Sequence, residues 1–458
     1  MISSPIFTTS KPSSEIVPED AKTYIRRHKE KELERLERLN DYYNGNHGIL
    51  NREKEGNLKN NRAVTNHAAY IADFTSGYLV GEPVTYSAAD TDITPITDVL
   101  DDMDAATQDS DLALDAAIFG RAYDMIYMNS EAKPKLARLS PLGAFVVYDD
   151  TVEQKPVFAV YYYPVFDNLT GTIKQYNGKL CTDKLMYDII LDSTLNSLTV
   201  AEDGVHEHPF GAVPINEIYN NGRRSGDFED VISLIDDYNL LQSDRVNDKE
   251  QFVDAMLVIK GSTLGDDDDE KLSAYRDLKN QKVLELPAEG ADAQFLTRQL
   301  DESSVEILRK SIVSDIHKIS GVPDMSDEQF AGNSSGVAMK YKLLGLEQKT
   351  KTKQRYFTEG LRIRLQSIAN VISAKGGAVI DVSKITIKFK RSLPENEVEN
   401  AQKVSMLNGI VPQSVLFDMI PAITDVESAK AELQEEKAAA VKAQQEAFAN
   451  TPLKTDEE

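Results

Sequence analysis

The 458-residue sequence has one cysteine, Cys181, and no tryptophan. A single thiol excludes an internal disulfide framework and any metal site built from several thiolates, as expected of a reducing compartment. No run approaches the roughly eighteen apolar residues of a membrane helix, so no membrane partner is expected. The opening MISSPIFTTSKPSS lacks the charged-then-apolar pattern of a secretion signal, which implies synthesis in the cytosol. Phosphate-cradling motifs are missing too. There is no G-x-x-x-x-G-K-[ST] and no dinucleotide fingerprint, so no cofactor is expected, and any driven process would take its motor from another chain. Basic charge is in deficit, 51 Lys and Arg against 75 Asp and Glu, a net of −24. Such a surface is no general nucleic-acid clamp, because phosphate binding is driven by basic groups displacing counterions. Acidity serves solubility, or walls past which a duplex slides without a deep minimum; composition does not choose between them.

Apolar residues make up 41% and charged residues 28% of the chain, a soluble globular balance with length for two or three domains. The most informative stretch is 332–374. A loop, Gly332-Asn333-Ser334-Ser335-Gly336, feeds a pattern that predicts one unbroken helix over 337–374, roughly 57 Å long. Phe357, Leu361, Leu365, Ile368 and Ile372 form its apolar stripe. Lys340, Lys342, Lys349, Lys351, Lys353, Arg355, Arg362 and Arg364 stand against only Glu347 and Glu359. That concentration calls for a partner, a paired acidic surface, or a solvated face bridged to nearby carboxylates.

Along the rest of the chain, Pro18 opens a charged helix that closes at Asn44-Gly45, and helices are expected over 62–82 and 94–119. Between 122 and 218 the period becomes two (AYDMIYM, KLARLS, AFVVY, VFAVYYYPVF, TIKQY, KLMYDII, SLTV, VPINEIY). With turns at 167–171 and at Tyr176-Asn177-Gly178, these segments predict a meandering antiparallel sheet. A long helix over 228–259 has a polar middle, 243–251, that requires something beside it. Residues 262–302 read as a compact insertion with an acidic run, a short helix near Tyr275 and two strand-like pieces, KVLEL and AQFLTR. Ser303 and Glu306 have capping-box spacing and open a helix running to Gly321-Val322-Pro323. ITIKFK then reads as a strand, 393–424 as a helical pair, 426–449 as a helix, and the last nine residues as disordered. The fold class is α+β, predominantly helical.

Three clusters invite chemistry. The 332–336 loop fits the G-x-S-x-G elbow of a hydrolase using Ser334. That motif needs a preceding strand and a later histidine, whereas His28, His47, His67, His206, His208 and His317 all precede it. The loop reading is therefore preferred and no enzyme is expected. His206-Glu207-His208, read as a turn before Pro209, has no second cluster to complete a metal shell, so no metal is expected. Asp266, Asp267, Asp268 and Asp269 lack the alternate acids and central glycine of a calcium loop. They read as a solvated helix start or an electrostatic docking patch.

Five segments in order carry a family resemblance: NDYYNGNHGIL, NNRAVTNHAAYIADFTSGYLVGEPVTY, HPFGAVPINEIYNNGRRSGDFEDVISLIDDYN, FVDAMLVIKG and DEQFAGNSSGVAMKYKLLGLEQKTKTKQRYF. From about Tyr24 to Leu433 the chain resembles the portal proteins of tailed bacteriophages, of the SPP1-like siphophage type. The resemblance implies the phage portal fold, a ring oligomer at one capsid vertex around a DNA channel, dodecameric in the virion and able to close at thirteen subunits when recombinant. It assigns 1–45 to an arm and charged helix of the wing, 46–227 to the α/β wing, and 228–261 to the first stem helix. The clip is then 262–302, the second stem helix 303–321 and the tunnel loop 322–336. The long wing helix and strand take 337–392, the helical crown 393–449 and the tail 450–458. In this mapping Asp324, Asp327, Glu328, Gln329, Asn333 and Ser334 face DNA, with carboxylates that repel rather than grip phosphates. Lys340 and Lys342 are candidate phosphate contacts or intersubunit pairs, and the four aspartates sit on the clip as a docking patch. Implied partners are further copies of the chain, double-stranded DNA, the terminase large subunit, a head-completion or adaptor protein, and the major capsid and scaffolding proteins. The implied place is the virion, after assembly in the host cytoplasm. A scaffold or adaptor ring in another assembly is the alternative.

Overall fold

The computed structural model describes residues 6–54, 59–89, 91–253, 256–260, 267–281, 290, 292–296, 302–325, 341–391, 397–418, 420 and 426–449. Contacts divide the chain into two units, Met1–Asp327 with Lys342–Ser392, and Glu328–Tyr341 with Leu393–Glu458. In the first, strand β1 (Phe7–Thr9) precedes a charged helix running from α1 (Pro18–His28) through a π turn (Lys29–Leu33) into α2 (Glu34–Tyr43). Pro18 sits in its first turn, where a missing N–H costs nothing, and Asp20 accepts from the Val17 N–H at 3.0 Å. Few apolar positions suffice because Ala21, Ile25, Leu36 and Leu39 are all buried. Next come α3 (His67–Val80), β2 (Thr85–Ser87), α4 (Thr94–Asp102) and α5 (Ala105–Phe119). The single helix expected over 94–119 is thus two. Asp104 takes a left-handed φ of 50°, which a short polar side chain tolerates, and the kink turns Leu100, Met103 and Ala105 into one core.

The strands are β3 (Arg121–Met128), β4 (Pro134–Leu139), β5 (Ala144–Asp149), β6 (Pro156–Phe166), β7 (Ile173–Cys181), β8 (Leu185–Asp192), β9 (Leu198–Glu207) and β10 (Ile215–Tyr219). They make two sheets instead of one meander. One runs β1-β5-β6-β7-β8-β9, with β1 added parallel at one edge and β9 at the other; the second is β10-β3-β4. Alternation along β5 shows how they stack: Phe145 and Val147 face Ile25 of α1, while Ala144 and Val146 meet Tyr123, Met125 and Leu139 of the smaller sheet. The smaller sheet's other face, through Ala122 and Ile218, packs on α3 and α5. The expected turn at 167–171 forms, Asp167 Oδ1 accepting from the Leu169 and Thr170 N–H groups at 2.8 and 3.0 Å. Tyr176-Asn177-Gly178 is no turn but lies inside β7. Gly178 is there because a Cβ would come within 2.4 Å of the Tyr161 carbonyl oxygen. His206 and Glu207, also expected in a turn, belong to β9.

α6 (Ile232–Val253) is followed by β11 (Met256–Lys260), α7 (Asp268–Gln281), β12 (Asp292–Leu296) and α8 (Glu302–Ser320). The helix expected over 228–259 therefore stops early. Its last apolar run, MLVIK, pairs antiparallel with β12, since a short run rich in β-branched residues gains more from a partner strand than from one more helical turn. The insertion accordingly starts at that strand, ahead of residue 262; KVLEL lies outside the described residues. Ser303 falls within α8 and forms no capping box, because Glu306 is taken by Arg309 at 2.7 Å and Arg245 at 3.2 Å. Arg245 also reaches Glu302 at 2.9 Å, which ties α6 to α8. The helix expected over 337–374 is described as α9 (Leu344–Ala374), 31 residues, with a turn at Leu343 interrupting it and 337–340 outside the described residues. Phe357, Leu361, Leu365 and Ile368 are buried as the stripe requires, and Ile372 is partly so. β13 (Thr386–Lys388) pairs with β2. The second unit holds α10 (Glu397–Leu407), α11 (Gln413–Asp418) and α12 (Val426–Ala449). The expected disordered tail, 450–458, lies outside the described residues.

Candidate functional site

The polar middle of α6 finds its partner within the chain. Asn239, Ser243 and Asn247, spaced one helical turn apart, are all buried. Their side-chain oxygens accept the backbone N–H groups of Thr65 (2.8 Å), Ala63 (2.9 Å) and Asn61 (2.7 Å). Four helical residues rise about 6 Å and two extended residues span nearly as much, so an extended strap over 61–65 can be read rung by rung. Asn239 Nδ2 also donates to His47 Nδ1 at 2.8 Å, which leaves His47 Nε2–H to donate to the Tyr42 carbonyl at 2.9 Å. Asp244 takes Arg52 at 2.7 Å and Lys54 at 3.0 Å. Burial raises its carboxyl, but hydrogen bonds from Lys54, Arg52 and Asn247 outweigh that and hold it below the usual range.

Part of the basic face of α9 is likewise consumed inside the chain, by buried carboxylates. Lys353 is buried on the Asp227 carboxylate, and Lys349 reaches the same group at 3.2 Å and the Ser320 carbonyl at 2.9 Å. Asp227 also accepts from Thr75 Oγ1 at 2.6 Å and Asn220 Nδ2 at 3.0 Å, while its N–H donates to the Ala117 carbonyl at 2.7 Å. Burial pushes the Asp227 carboxyl up, but the two ammonium groups and the hydrogen bonds overcome this and hold it well below the carboxylate range. Arg364 is fully buried between Asp109 at 2.6 Å and Asp124 at 2.8 Å. Lys351 and Arg355 remain exposed. A third network, buried at Glu32, Arg121 and Glu217 and half-buried at Arg35, Arg224 and Glu229, joins three acids and three bases next to the entry of α6.

At the other end of α8 the chain leaves through Gly321, whose φ of +73° suits a residue without Cβ. His317 Nδ1 lies 3.0 Å from the Val322 carbonyl, so Nδ1 carries the proton and donates, and its Nε2 is 3.9 Å from Asp324 Oδ2. The Tyr70 hydroxyl donates to the Pro323 carbonyl at 2.9 Å and accepts from the Met325 N–H at 3.3 Å. His67 packs edge-on to His317; burial first, then His317, pulls its imidazole down to about 4, although Asp324 opposes this.

Asp324, half-buried at this root, is the sequence-selected tunnel residue whose surroundings are described; Asp327, Glu328, Gln329, Asn333, Ser334 and Lys340 lie outside the described residues. Lys342 is half-buried, just ahead of the Leu343 turn. Asp266 also lies outside the described residues. Asp267 Oδ1 accepts the Glu270 N–H at 2.8 Å and caps α7, with Asp268 and Asp269 exposed in its first turn, where acids oppose the helix dipole. His206 Nε2 is 3.5 Å from Asp188, whereas His208 Nε2 lies 3.0 Å from the Thr182 carbonyl, so the two imidazoles serve different partners. Among the described residues no three His, Cys, Asp or Glu side chains gather as for a metal, and no helix is long and apolar enough to cross a membrane. Sequence reasoning missed Tyr70 and Asp227, which no local pattern marks. The Asn-Ser-Asn spacing of α6 was visible but unread.

Residues 22–443 match the family model described as phage portal protein, SPP1 Gp6-like. The chain belongs to this portal family. It is 24% identical over 428 residues to the portal protein of Clostridium phage phiCD119, covering 86% of this chain and 91% of that one. Against the portal protein of Bacillus phage SPP1 it is 23% identical over 393 residues, 82% of this chain and 76% of the other. A solved chain from the neck of an empty GTA particle is similar with a TM-score of 0.45 and 14% identity, covering 76% of this chain and 87% of that chain. Family membership, expected from the ordered sequence segments, thus holds across nearly the whole portal chain.

Proposed function

We propose that copies of this chain form a ring, twelve in the virion, at one capsid vertex, through which double-stranded DNA is packaged and later ejected. The observation that carries the proposal is the match to the portal family over residues 22–443. The chemistry of the subunit agrees with it. α6 and α8 are tied to each other and serve as the stem; α8 exposes Ile307 (71%), Leu308 (51%) and Ile319 (55%), apolar area suited to a neighbouring copy. The module from β11 to β12 serves as the clip, with Asp266, Asp267, Asp268 and Asp269 a docking patch for the terminase large subunit or the head-completion protein. The α10 to α12 unit serves as the crown. Residues 322–336 serve as the tunnel loop, in which Asp324, Asp327 and Glu328 keep phosphates from binding tightly and Gln329, Asn333 and Ser334 face the duplex. Lys340 and Lys342 act as phosphate contacts or intersubunit pairs. The role is structural and the motor belongs to the terminase. Capsid and scaffolding proteins surround the ring as it is built in the host cytoplasm.

Electron microscopy of the purified protein tests this: top views should count twelve or thirteen subunits around a hole wide enough for a duplex. Closed rings without such a hole would favour a scaffold or adaptor ring, and monomers or open filaments at every salt concentration would overturn both. Deleting residues 327–333 should spare ring assembly and impair packaging.

A further inference from the structure

We propose that Tyr70 is the positioning residue of the tunnel segment, its hydroxyl clasping the chain on both sides of Asp324 and fixing the root of that segment to α3. What the segment does rests on the portal reading; the clasp rests on geometry alone. Beyond the end of α8 nearly every residue as far as Met325 is held. Lys349 takes the Ser320 carbonyl, Ser320 Oγ accepts the Val322 N–H at 3.3 Å, and His317 donates to the Val322 carbonyl. Pro323 has no N–H, so its carbonyl is its sole backbone handle, and Tyr70 occupies it. The Tyr70 hydroxyl oxygen in turn accepts from the Met325 N–H, closing a loop around Asp324.

A phenol suits this task because one hydroxyl offers a donor and acceptor lone pairs together. Tyr70 lies more than 250 residues upstream, on a helix whose Ile71 and Leu79 are buried and whose Thr75 is bonded to Asp227. The anchor is therefore rigid. Its target is not: Met325 is 41% exposed and Asp324 half-buried, so these hydrogen bonds complete no core. They hold a partly solvated stretch of chain, Asp324 and Met325, in one place. It follows that residues 321–325 are held to α3 and α8 as one body.

The test is Tyr70→Phe in full-length rings, which keeps the ring contacts with Phe74 and His317 and removes both hydrogen bonds. Hydrogen exchange over residues 322–325 should speed roughly five-fold, the ratio that one net hydrogen bond of about 1 kcal/mol represents. Ring count should be unchanged and nuclease-protected DNA per particle should fall. Unchanged exchange overturns the clasp. Faster exchange with unchanged DNA yield overturns the positioning role. If particles assembled with the unaltered protein protect no DNA, the portal reading itself fails, and the exchange result still decides the clasp. Should Tyr70→Phe not assemble, exchange of the Met325 N–H in the unaltered protein decides: protection is expected from its bond to Tyr70, and exchange at the rate of a free amide overturns the clasp.

Discussion

Replacing Asp227 with asparagine removes one charge and almost no volume, which isolates its role as counterion. The carboxylate is fully buried and receives Lys353, Lys349, Thr75 and Asn220. An amide still accepts on one side but turns an NH2 toward a buried ammonium. Breaking a buried pair by removing one partner costs about 3–5 kcal/mol, mainly because the remaining charge stays desolvated. Lys349 is 28% exposed and can turn to water, while Lys353, at 3%, has no such route, so the cost falls on Lys353. For a unit of this size the loss corresponds to roughly 4–6 °C in the melting midpoint, measurable by scanning fluorimetry on the purified protein. Acid dependence gives a second reading. The folded Asp227 carboxyl titrates below its unfolded value, so its contribution is present above about pH 4 and is lost as pH falls further. Asp227→Asn should flatten that limb. The double variant Asp227→Asn with Lys353→Met, which removes both charges, should be no less stable than Asp227→Asn alone. A midpoint within about 2 °C of the parent, or simple additivity in the double variant, would refute the reasoning.

Gly226→Ala should destabilise the first unit by a few kcal/mol, since its Cβ would stand 2.2 Å from the Ile118 carbonyl oxygen and the main chain must move; a thermal melt checks it. His28, buried against Phe7 and Phe145, is pulled down to about 3 by burial first and then by Arg121 and Lys29. Its folded value lies below its unfolded one, so stability is complete above about pH 6.5 and falls by about 1.4 kcal/mol per unit below it; denaturant midpoints at pH 7 and pH 5 in His28→Gln should converge. Ser243→Ala should cost about 1–2 kcal/mol by orphaning the Ala63 N–H and should show as faster hydrogen exchange in the strap with the rest of α6 unaffected.

What could be read from the sequence was what repeats locally. The stripe of α9, the strands β5 and β6 and the Asp167 turn follow period and turn chemistry, and they appear where that chemistry puts them. The errors have one source: a local signal with two outcomes that only a distant partner decides. MLVIK continues a helix or pairs as a strand, depending on β12, which begins more than thirty residues later. Asn177-Gly178 turns a chain or lets another backbone come close, depending on Tyr161. The lysines of α9 meet solvent or carboxylate, depending on Asp227. Tyr70 carries no signal of its role at all, because its two partners lie at the far end of the unit.

The larger sheet ends differently on its two sides. One border strand is β1, only three residues long; the other is the ten-residue β9, and there Glu202, Asp203 and Glu207 all face water. An unpaired strand is a template for identical strands, and the hazard grows with concentration. Carboxylates along that border make each copy repel its own kind edge to edge. Edge-to-edge growth of this sheet into fibres is thereby disfavoured.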